Sequence, residues 1–266
     1  TAFIEPAANA DEGEVRHFLF MTPLVAVLYQ RGIMAFHAAA AATRHGAILL
    51  AGDSGSGKST LLAALLKRGW IMLADDLAMV DLDERGNPVV FPVCQELMLW
   101  PDAIEKMEIP TPSSQSFDND KRRNVFSPSD RITSDPHPLR AIYWLSVHNK
   151  DEIEIKEVEG AERFGAYGAL SYNSHIADAL LDRTVYFRNA AAISHAAPLR
   201  RLRRPRGRWC ADAHLGGCCR APWSESRRTG FPSPAAKKDR CCCACRHYRI
   251  TPRPVSVAGC LSSGVQ

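Results

Sequence analysis

Cysteine and long apolar runs are both scarce in the larger part of this 266-residue sequence. Cys94 is the single cysteine before residue 200, and the other eight of the nine fall between Cys210 and Cys260. This scarcity argues against a disulfide-stabilised secreted scaffold and predicts reduced thiols in the cytoplasm. The longest uncharged apolar stretch, residues 18–30, has 13 residues, whereas a membrane-spanning helix needs roughly 20. We therefore expect a cytoplasmic protein with no membrane partner.

Acidic residues become scarce after residue 200. Residues 1–199 hold 18 basic and 26 acidic residues, while residues 200–266 hold 15 basic and 3 acidic ones. Arg, Pro, Gly, Ser and Cys dominate the second segment, where neither helical nor strand periodicity is visible. We predict that residues 197–266 are a basic tail that is disordered or translated in a shifted reading frame. A zinc or nucleic-acid module is the alternative, but paired C-x₂-C spacing is missing, so nucleic acid is disfavoured as a partner.

A glycine-rich loop between a predicted strand, residues 47–51, and a predicted helix, residues 61–66, is the strongest motif. Such a loop turns backbone N–H groups toward a phosphate chain, a lysine reaches the β- and γ-phosphates, and a following serine hydroxyl can bind Mg²⁺. The motif predicts a purine nucleoside triphosphate, taken as ATP, with Mg²⁺. The predicted nucleotide-binding residues are Gly52, Asp53, Ser54, Gly55, Ser56, Gly57, Lys58, Ser59 and Thr60.

Two adjacent carboxylates, Asp75 and Asp76, follow the next apolar run, residues 70–74. A strand, helix, strand unit of this length should be a parallel crossover, so both strands end at the same edge of a sheet. One carboxylate could then hold Mg²⁺ while the other accepts a hydroxyl proton. The alternative is an Asp pair that only forms a turn or caps a helix.

His37 is a third candidate. If Arg44 and His45 form a two-residue hairpin loop, the numbers of paired residues sum to 89, and His37 lies opposite Gly52 at the mouth of the glycine-rich loop. On spacing alone, a structural histidine remains the alternative.

The rest of the chain carries weaker patterns. Lys121, Arg122 and Arg123 lie in a predicted long loop, residues 110–138, where they could clamp a phosphoryl group or form a solvated charge run. The remaining predicted elements are a helix over 11–31 that kinks or restarts at Pro23, helices over 101–107, 160–170 and 173–181, and strands over 79–82, 88–93, 139–147 and 152–158.

Residues 37–76 resemble the catalytic domain of HPr kinase/phosphorylase and its short HPr kinase-like relatives. The resemblance rests on His37, the glycine-rich loop and the Asp pair at these separations. It implies a P-loop-containing, phosphoenolpyruvate-carboxykinase-like α/β fold with a mixed sheet flanked by helices. It further implies ATP-dependent phosphorylation of a serine hydroxyl on a protein, peptide or small molecule. The expected domains are a helical lead-in, 1–36, a catalytic domain, 37–196, and the tail, 197–266.

The resemblance also implies roles for single residues. Asp76 would be the general base, with Asp75 beside it near Mg²⁺, and His37 would lie close to the reacting phosphate. Lys58 would hold phosphate, and Ser59 would bind Mg²⁺ together with Asp75. The family's Glu-x-Arg-Gly-x-Gly tract is replaced by residues 95–100, so neither HPr as substrate nor a phosphorylase reaction is predicted, and homo-oligomer formation stays open. The competing functions are an ATP-binding regulator without phosphoryl transfer and a P-loop ATPase.

Overall fold

The computed structural model describes residues 5–7, 9–10, 15, 18–19, 22–93, 97–106, 124–126 and 131–206. These residues form a mixed α/β structure. The helices are α1 (Pro23–Gln30), α2 (Lys58–Lys67), α3 (Pro101–Lys106), α4 (Gly160–Leu170), α5 (Ser174–Leu180) and α6 (Arg183–Ala196). The strands are β1 (Met34–Thr43), β2 (Gly46–Ala51), β3 (Ile71–Ala74), β4 (Leu77–Leu82), β5 (Pro88–Phe91), β6 (Leu97–Leu99), β7 (Asn124–Phe126), β8 (His137–His148), β9 (Glu154–Val158) and β10 (Leu199–Pro205).

The main sheet has the strand order β3, β1, β2, β8, β10, β9. Strand β1 is antiparallel to β2 and β3, β2 is parallel to β8, and β10 is parallel to β8 and antiparallel to β9. Since β2 and β3 both oppose β1, they run in the same direction with β1 between them. The carboxyl ends of β2, β3, β8 and β10 therefore share one edge of the sheet.

A smaller sheet closes against the main one. The first four residues of β1 pair with β4, β4 pairs with β5, and β5 pairs with the start of β8. Because β8 also pairs with β2, the strands β2, β1, β4, β5 and β8 form a closed ring. Closure leaves these strands without an unpaired edge along the ring.

Strand β1 is buried on both faces, which explains its unusual run of five alanines. Ala38, Ala40 and Ala42 pack into a core with Tyr167 of α4 and Ile193 of α6. The alternate residues, Ala39 and Ala41, pack into a second core with Leu62 and Leu65 of α2. Alanine has a low intrinsic preference for strands, but its small side chain lets helices approach the sheet on both sides.

The predicted hairpin register is confirmed. Thr43 pairs with Gly46 and Ala38 pairs with Ala51, so the paired numbers sum to 89 along the whole ladder. The restart at Pro23 is confirmed as well, because this residue occupies the first turn of α1, where its fixed φ and missing N–H cost nothing. Residues 15, 18 and 19 of the predicted preceding segment are helical.

The predicted loss of regular structure after Ala196 is wrong. Residues 199–205 form β10, which is hydrogen-bonded on both sides and buries Leu199 and Leu202 completely. Helix α6 also had no counterpart among the predicted elements. The other described helices and the strands predicted over 70–74, 79–82, 88–93, 139–147 and 152–158 are present, with ends that differ by a few residues.

The predicted domain boundary at residue 36 does not separate two structural units. The expected division at residue 36 falls inside β1, so the lead-in and the following domain share a strand. Lys121, Arg122 and Arg123 lie outside the described residues, as does the tail from residue 207 onward. None of the described helices has both the length and the apolar character that crossing a bilayer requires.

Candidate functional site

The glycine-rich loop leaves the carboxyl end of β2 and runs directly into α2. Gly52 has φ 140° and Gly57 has φ 102°, values that residues with a side chain rarely adopt. A Cβ on Gly52 would also collide with the backbone oxygen of Leu145 on the neighbouring strand. The loop therefore needs glycine at both positions, and α2 begins at Lys58 with its N–H groups facing the loop.

Lys58 is buried at the centre of the site. Its Nζ donates to the backbone oxygens of Gly52, at 2.7 Å, and Asp53, at 3.1 Å, and lies 3.0 Å from Nε2 of His37. These contacts hold the ammonium group over the loop, where its charge can meet a phosphate.

His37 connects Lys58 to Asp76. Because the Lys58 ammonium can only donate, His37 Nε2 accepts from it, which leaves the ring proton on Nδ1. Nδ1 lies 3.3 Å from Oδ1 of Asp76. Burial and the positive charge of Lys58 together lower the pKa of His37, and they outweigh the opposing effect of Asp76. His37 is therefore neutral at pH 7, accepts a hydrogen bond from Lys58 and lies in contact with the Asp76 carboxylate.

Asp76 lies at a break between two strands that follow the same edge of β1. Strand β3 pairs with the second half of β1 and β4 with its first half, and the Asp pair occupies the gap between them. Leu77 N–H donates to the backbone oxygen of Asp75 at 3.0 Å, which makes a three-residue turn centred on Asp76. Asp76 has φ 73°, a conformation that costs energy for a residue with a side chain and that clusters at functional sites. Its carboxylate is about one third exposed, at 34%.

Asp75 points toward the start of α2. Its Oδ1 accepts from the Ser59 hydroxyl at 2.9 Å and its Oδ2 from the backbone N–H of Met98 at 3.2 Å. Only 5% of the residue is exposed, and this burial raises its pKa to about 6 against the two hydrogen bonds. A buried carboxylate beside a serine hydroxyl is costly when ionised unless a cation neutralises it.

Tyr172 completes the surroundings of Asp76, and no sequence motif marks it. Its hydroxyl donates to Oδ2 of Asp76 at 3.4 Å, and its ring lies edge-on to His37 with centroids 5.6 Å apart. Backbone N–H of Tyr172 donates to Ala35 on β1 at 2.9 Å, and the buried Tyr29 hydroxyl donates to the backbone oxygens of Ala35 and Tyr172. Burial and the Asp76 charge raise the pKa of Tyr172, so its hydroxyl stays protonated and can donate.

Arg204 on β10 is the second residue that sequence reasoning missed. Its guanidinium donates to the backbone oxygens of Ser56 and Gly55 in the glycine-rich loop, at 3.0 and 3.3 Å. No local signal could have found it, because it lies in an arginine-rich stretch nearly 150 residues from the loop.

Four other predicted nucleotide-binding residues lie nearer the protein surface. Asp53, Ser54 and Gly55 are exposed at the tip of the loop, and Thr60 is half-buried in the first turn of α2. Within the described ranges, no group of three or more His, Cys, Asp or Glu side chains is arranged to hold a metal ion. Ser59 and Asp75 supply two adjacent oxygens instead, which fits Mg²⁺, a cation that proteins bind through one or two carboxylates together with water and substrate phosphates.

Comparisons with known proteins give little further information. No protein-family model and no curated protein matches the sequence. Among solved structures, the chain is similar to that titled "Structure of the Hpr(Ser) kinase/phosphatase from Coxiella burnetii", with 10% sequence identity and a TM-score of 0.34 over 65% of this chain and 86% of the other. A TM-score this low establishes neither the fold nor the activity of this chain.

Proposed function

We propose that this protein is an ATP-dependent kinase that transfers the γ-phosphoryl group of ATP to a serine hydroxyl on a protein, peptide or small molecule. The observation that carries the proposal is the continuous contact between Lys58, His37 and Asp76, with distances of 3.0 and 3.3 Å. It joins a group suited to hold phosphate to a group suited to accept a proton.

Phosphate binding is supported by the loop and α2. A strand that ends in a glycine-rich loop and continues into a helix presents backbone N–H groups and a positive helix end to an anion. Lys58 adds a full positive charge at the same place. The half-buried setting strengthens these interactions, because fewer water molecules compete for them.

Proton removal falls to Asp76. The acceptor hydroxyl forms a bond to the γ-phosphorus, the bond between that phosphorus and the β,γ-bridging oxygen breaks, and the hydroxyl proton passes to the Asp76 carboxylate. ADP keeps the electron pair of the broken bond. His37 lies beside one carboxylate oxygen and Tyr172 donates to the other, so the base is oriented before the acceptor binds.

Mg²⁺ is the cation that suits Ser59 and Asp75. When bound, it would neutralise charge on the phosphate oxygens. The two residues contribute hard oxygen ligands, and the cation would place a positive charge directly beside the buried Asp75 carboxylate. Ser59 and Asp75 are already held together at 2.9 Å, so little reorganisation is needed.

The test is transfer of γ-³²P from ATP with Mg²⁺ to a panel that contains free serine, HPr and serine peptides. The 266-residue chain is compared with Asp76→Asn and with Asp83→Asn as a matched control. Asp83 is a partly buried aspartate in the turn between β4 and β5, where it accepts from the backbone N–H groups of Arg85 and Asn87 in the same turn. We expect Asp76→Asn to lower transfer by roughly 10²- to 10⁴-fold, the usual contribution of a general base, and Asp83→Asn to leave transfer unchanged.

Three other results would separate the competing functions. Release of free phosphate with no labelled acceptor would support a P-loop ATPase. ATP binding with neither transfer nor release would support a regulator. Failure of the chain to bind ATP at all would contradict all three.

A further inference from the structure

We infer that Arg204 is a positioning residue of the nucleotide site, which holds the glycine-rich loop on the side away from the nucleotide so that the Gly57 N–H faces the phosphates. The inference rests on the proposed nucleotide-binding function. It makes β10, in the arginine-rich part of the chain, a structural component of that site.

The alternation of side chains along β10 directs Arg204 to the correct side of the sheet. Leu199 packs into the core that holds α4 and α6, and Leu202 into the core that holds α2. Arg204 is two residues after Leu202, so it lies on the α2 side, above the carboxyl end of the strand. Parallel pairing with β8 carries this end of β10 to the same edge of the sheet as the loop.

The contacts of Arg204 are with backbone rather than with acidic side chains. Its Nε donates to the Ser56 oxygen at 3.0 Å and a terminal nitrogen donates to the Gly55 oxygen at 3.3 Å. The guanidinium also lies close to Gly57, where an added Cβ would come within 3.4 Å of Nε. Its planar group is therefore hydrogen-bonded to two consecutive peptide units of the loop.

The peptide bond transmits this contact to the opposite side of the loop. In a trans peptide, the N–H of one residue points away from the C=O of the residue before it. With the Ser56 oxygen turned toward Arg204, the N–H of Gly57 points away from Arg204. A cation on the carbonyl side also polarises the peptide, which strengthens the N–H as a donor. Arg204 thus aligns a donor for phosphate without touching the phosphate.

Partial burial strengthens the hydrogen bonds that hold the Arg204 side chain in place. The residue is half-buried, and burial together with the charge of Arg206 lowers its pKa. A cation that is partly removed from water gains more from its hydrogen bonds, and it gains further when an anion occupies the other side of the loop.

The first experiment measures binding of ATP and ADP with Mg²⁺ to the 266-residue chain by calorimetry. Arg204→Ala should raise the Kd of both nucleotides about tenfold, since the loss of hydrogen bonds to a charged group is worth about that factor. Arg204→Lys, which can reach only one of the two oxygens, should raise both by about threefold. Millimolar guanidinium should restore most of the affinity of Arg204→Ala, which a merely destabilised variant would not show. Arg203→Ala is the matched control, because Arg203 is the neighbouring arginine on the opposite face and pairs with Glu154 at 3.5 Å.

The second experiment needs no nucleotide. Amide hydrogen exchange over residues 53–58 should be faster in Arg204→Ala than in the wild type and unchanged in Arg203→Ala. Unaltered exchange would overturn the inference even if the wild type binds no ATP, an outcome that would by itself contradict the proposed function. Weaker binding of ATP with unchanged binding of ADP would also overturn it, because that pattern indicates direct contact with the terminal phosphate. Should Arg204→Ala fail to fold, Arg204→Lys in the same two measurements decides.

Discussion

The glycine-rich loop and strand β10 lie in contact at one edge of the sheet, but their conformations have different origins. Within the loop, Gly52 and Gly57 adopt positive φ values that their own residue type permits. In β10, by contrast, four of seven residues are arginines, and the buried positions, Leu199, Leu202 and Pro205, do not alternate. The loop is thus encoded locally, whereas the strand depends on its neighbours.

Side chains on the neighbouring elements pair with the arginines of β10. Arg200 pairs with Glu157 on β9, and Arg201 pairs with Glu162 on α4. The guanidinium of Arg201 also stacks on Trp144 of β8, 4.3 Å from the ring centroid. An arginine-rich segment can therefore occupy an interior position of the sheet, because acidic residues of the preceding chain surround it.

If this contrast holds, substitutions at the buried leucines of β10 should change stability, whereas substitutions at the phosphate-facing end of the loop should change nucleotide binding. The largest effect is expected from Leu202→Ala, which empties a fully buried position. We predict a loss of about 2–5 kcal/mol in the free energy of unfolding, measured by urea denaturation. Arg203→Ala, next to it and partly exposed, should lose no more than about 1 kcal/mol. Equal and small losses for both would show that β10 is not part of the core.

The substitution Lys58→Met, at the residue that directly follows the loop, tests the part of the comparison that concerns nucleotide binding. We predict that ATP affinity falls by about 100-fold, roughly 2.7 kcal/mol, through loss of the charged contact with phosphate. Lys67→Met, at the far end of the same helix, should bind ATP like the wild type. Calorimetric titration of both variants tests this, and equal affinities would contradict the assignment of Lys58.

Asp75→Asn should stabilise the nucleotide-free protein in a pH-dependent manner. The pKa of Asp75, about 6 in the fold against an ordinary 3.8, means that the folded state holds the proton more tightly than the unfolded state. Its contribution is therefore fully present below about pH 4 and is lost as pH rises through 6, which amounts to roughly 3 kcal/mol. Asparagine cannot ionise, and the Ser59 hydroxyl can turn to accept from its amide.

We therefore expect the stability advantage of Asp75→Asn to grow from pH 4 to pH 8 in urea denaturation and to shrink when ATP and Mg²⁺ are added. Asp83→Asn provides the control with the opposite sign, because hydrogen bonds from Asn87 and Arg85 lower the pKa of Asp83 despite slight desolvation. An advantage of Asp75→Asn that did not vary with pH would contradict the buried, proton-binding carboxyl.

The smallest effect is expected from Tyr172→Phe. Its hydroxyl holds Oδ2 of Asp76 at 3.4 Å, so its loss should lower kcat by about three- to tenfold, the value of one modest hydrogen bond. ATP affinity should not change, since the Tyr172 hydroxyl contacts Asp76 rather than the loop. Tyr186→Phe is the control, because its hydroxyl donates to the Phe164 backbone away from the site. A change in ATP affinity without a change in kcat would exclude this positioning role.

Much of the site could be predicted from sequence because its signals are short-range. The hairpin register followed from a two-residue loop, and the positions of Lys58, Ser59 and the Asp pair followed from the strand and helix that flank the loop. Helix α6 and β10 could not be predicted in this way. Polar and charged residues interrupt the apolar periodicity of both, and their burial depends on residues far away along the chain.

By itself, the sequence determined which residues could carry the proposed phosphate chemistry, because glycine, lysine, serine and aspartate act through local backbone geometry and side-chain type. Only the tertiary structure decided which residues support that chemistry. Tyr172 reaches Asp76 because its backbone is hydrogen-bonded to β1, and Arg204 reaches the loop because β10 pairs in parallel with β8. Such contacts join residues about 100 to 150 positions apart, and no local pattern can encode them, since they depend on the whole sheet being assembled first.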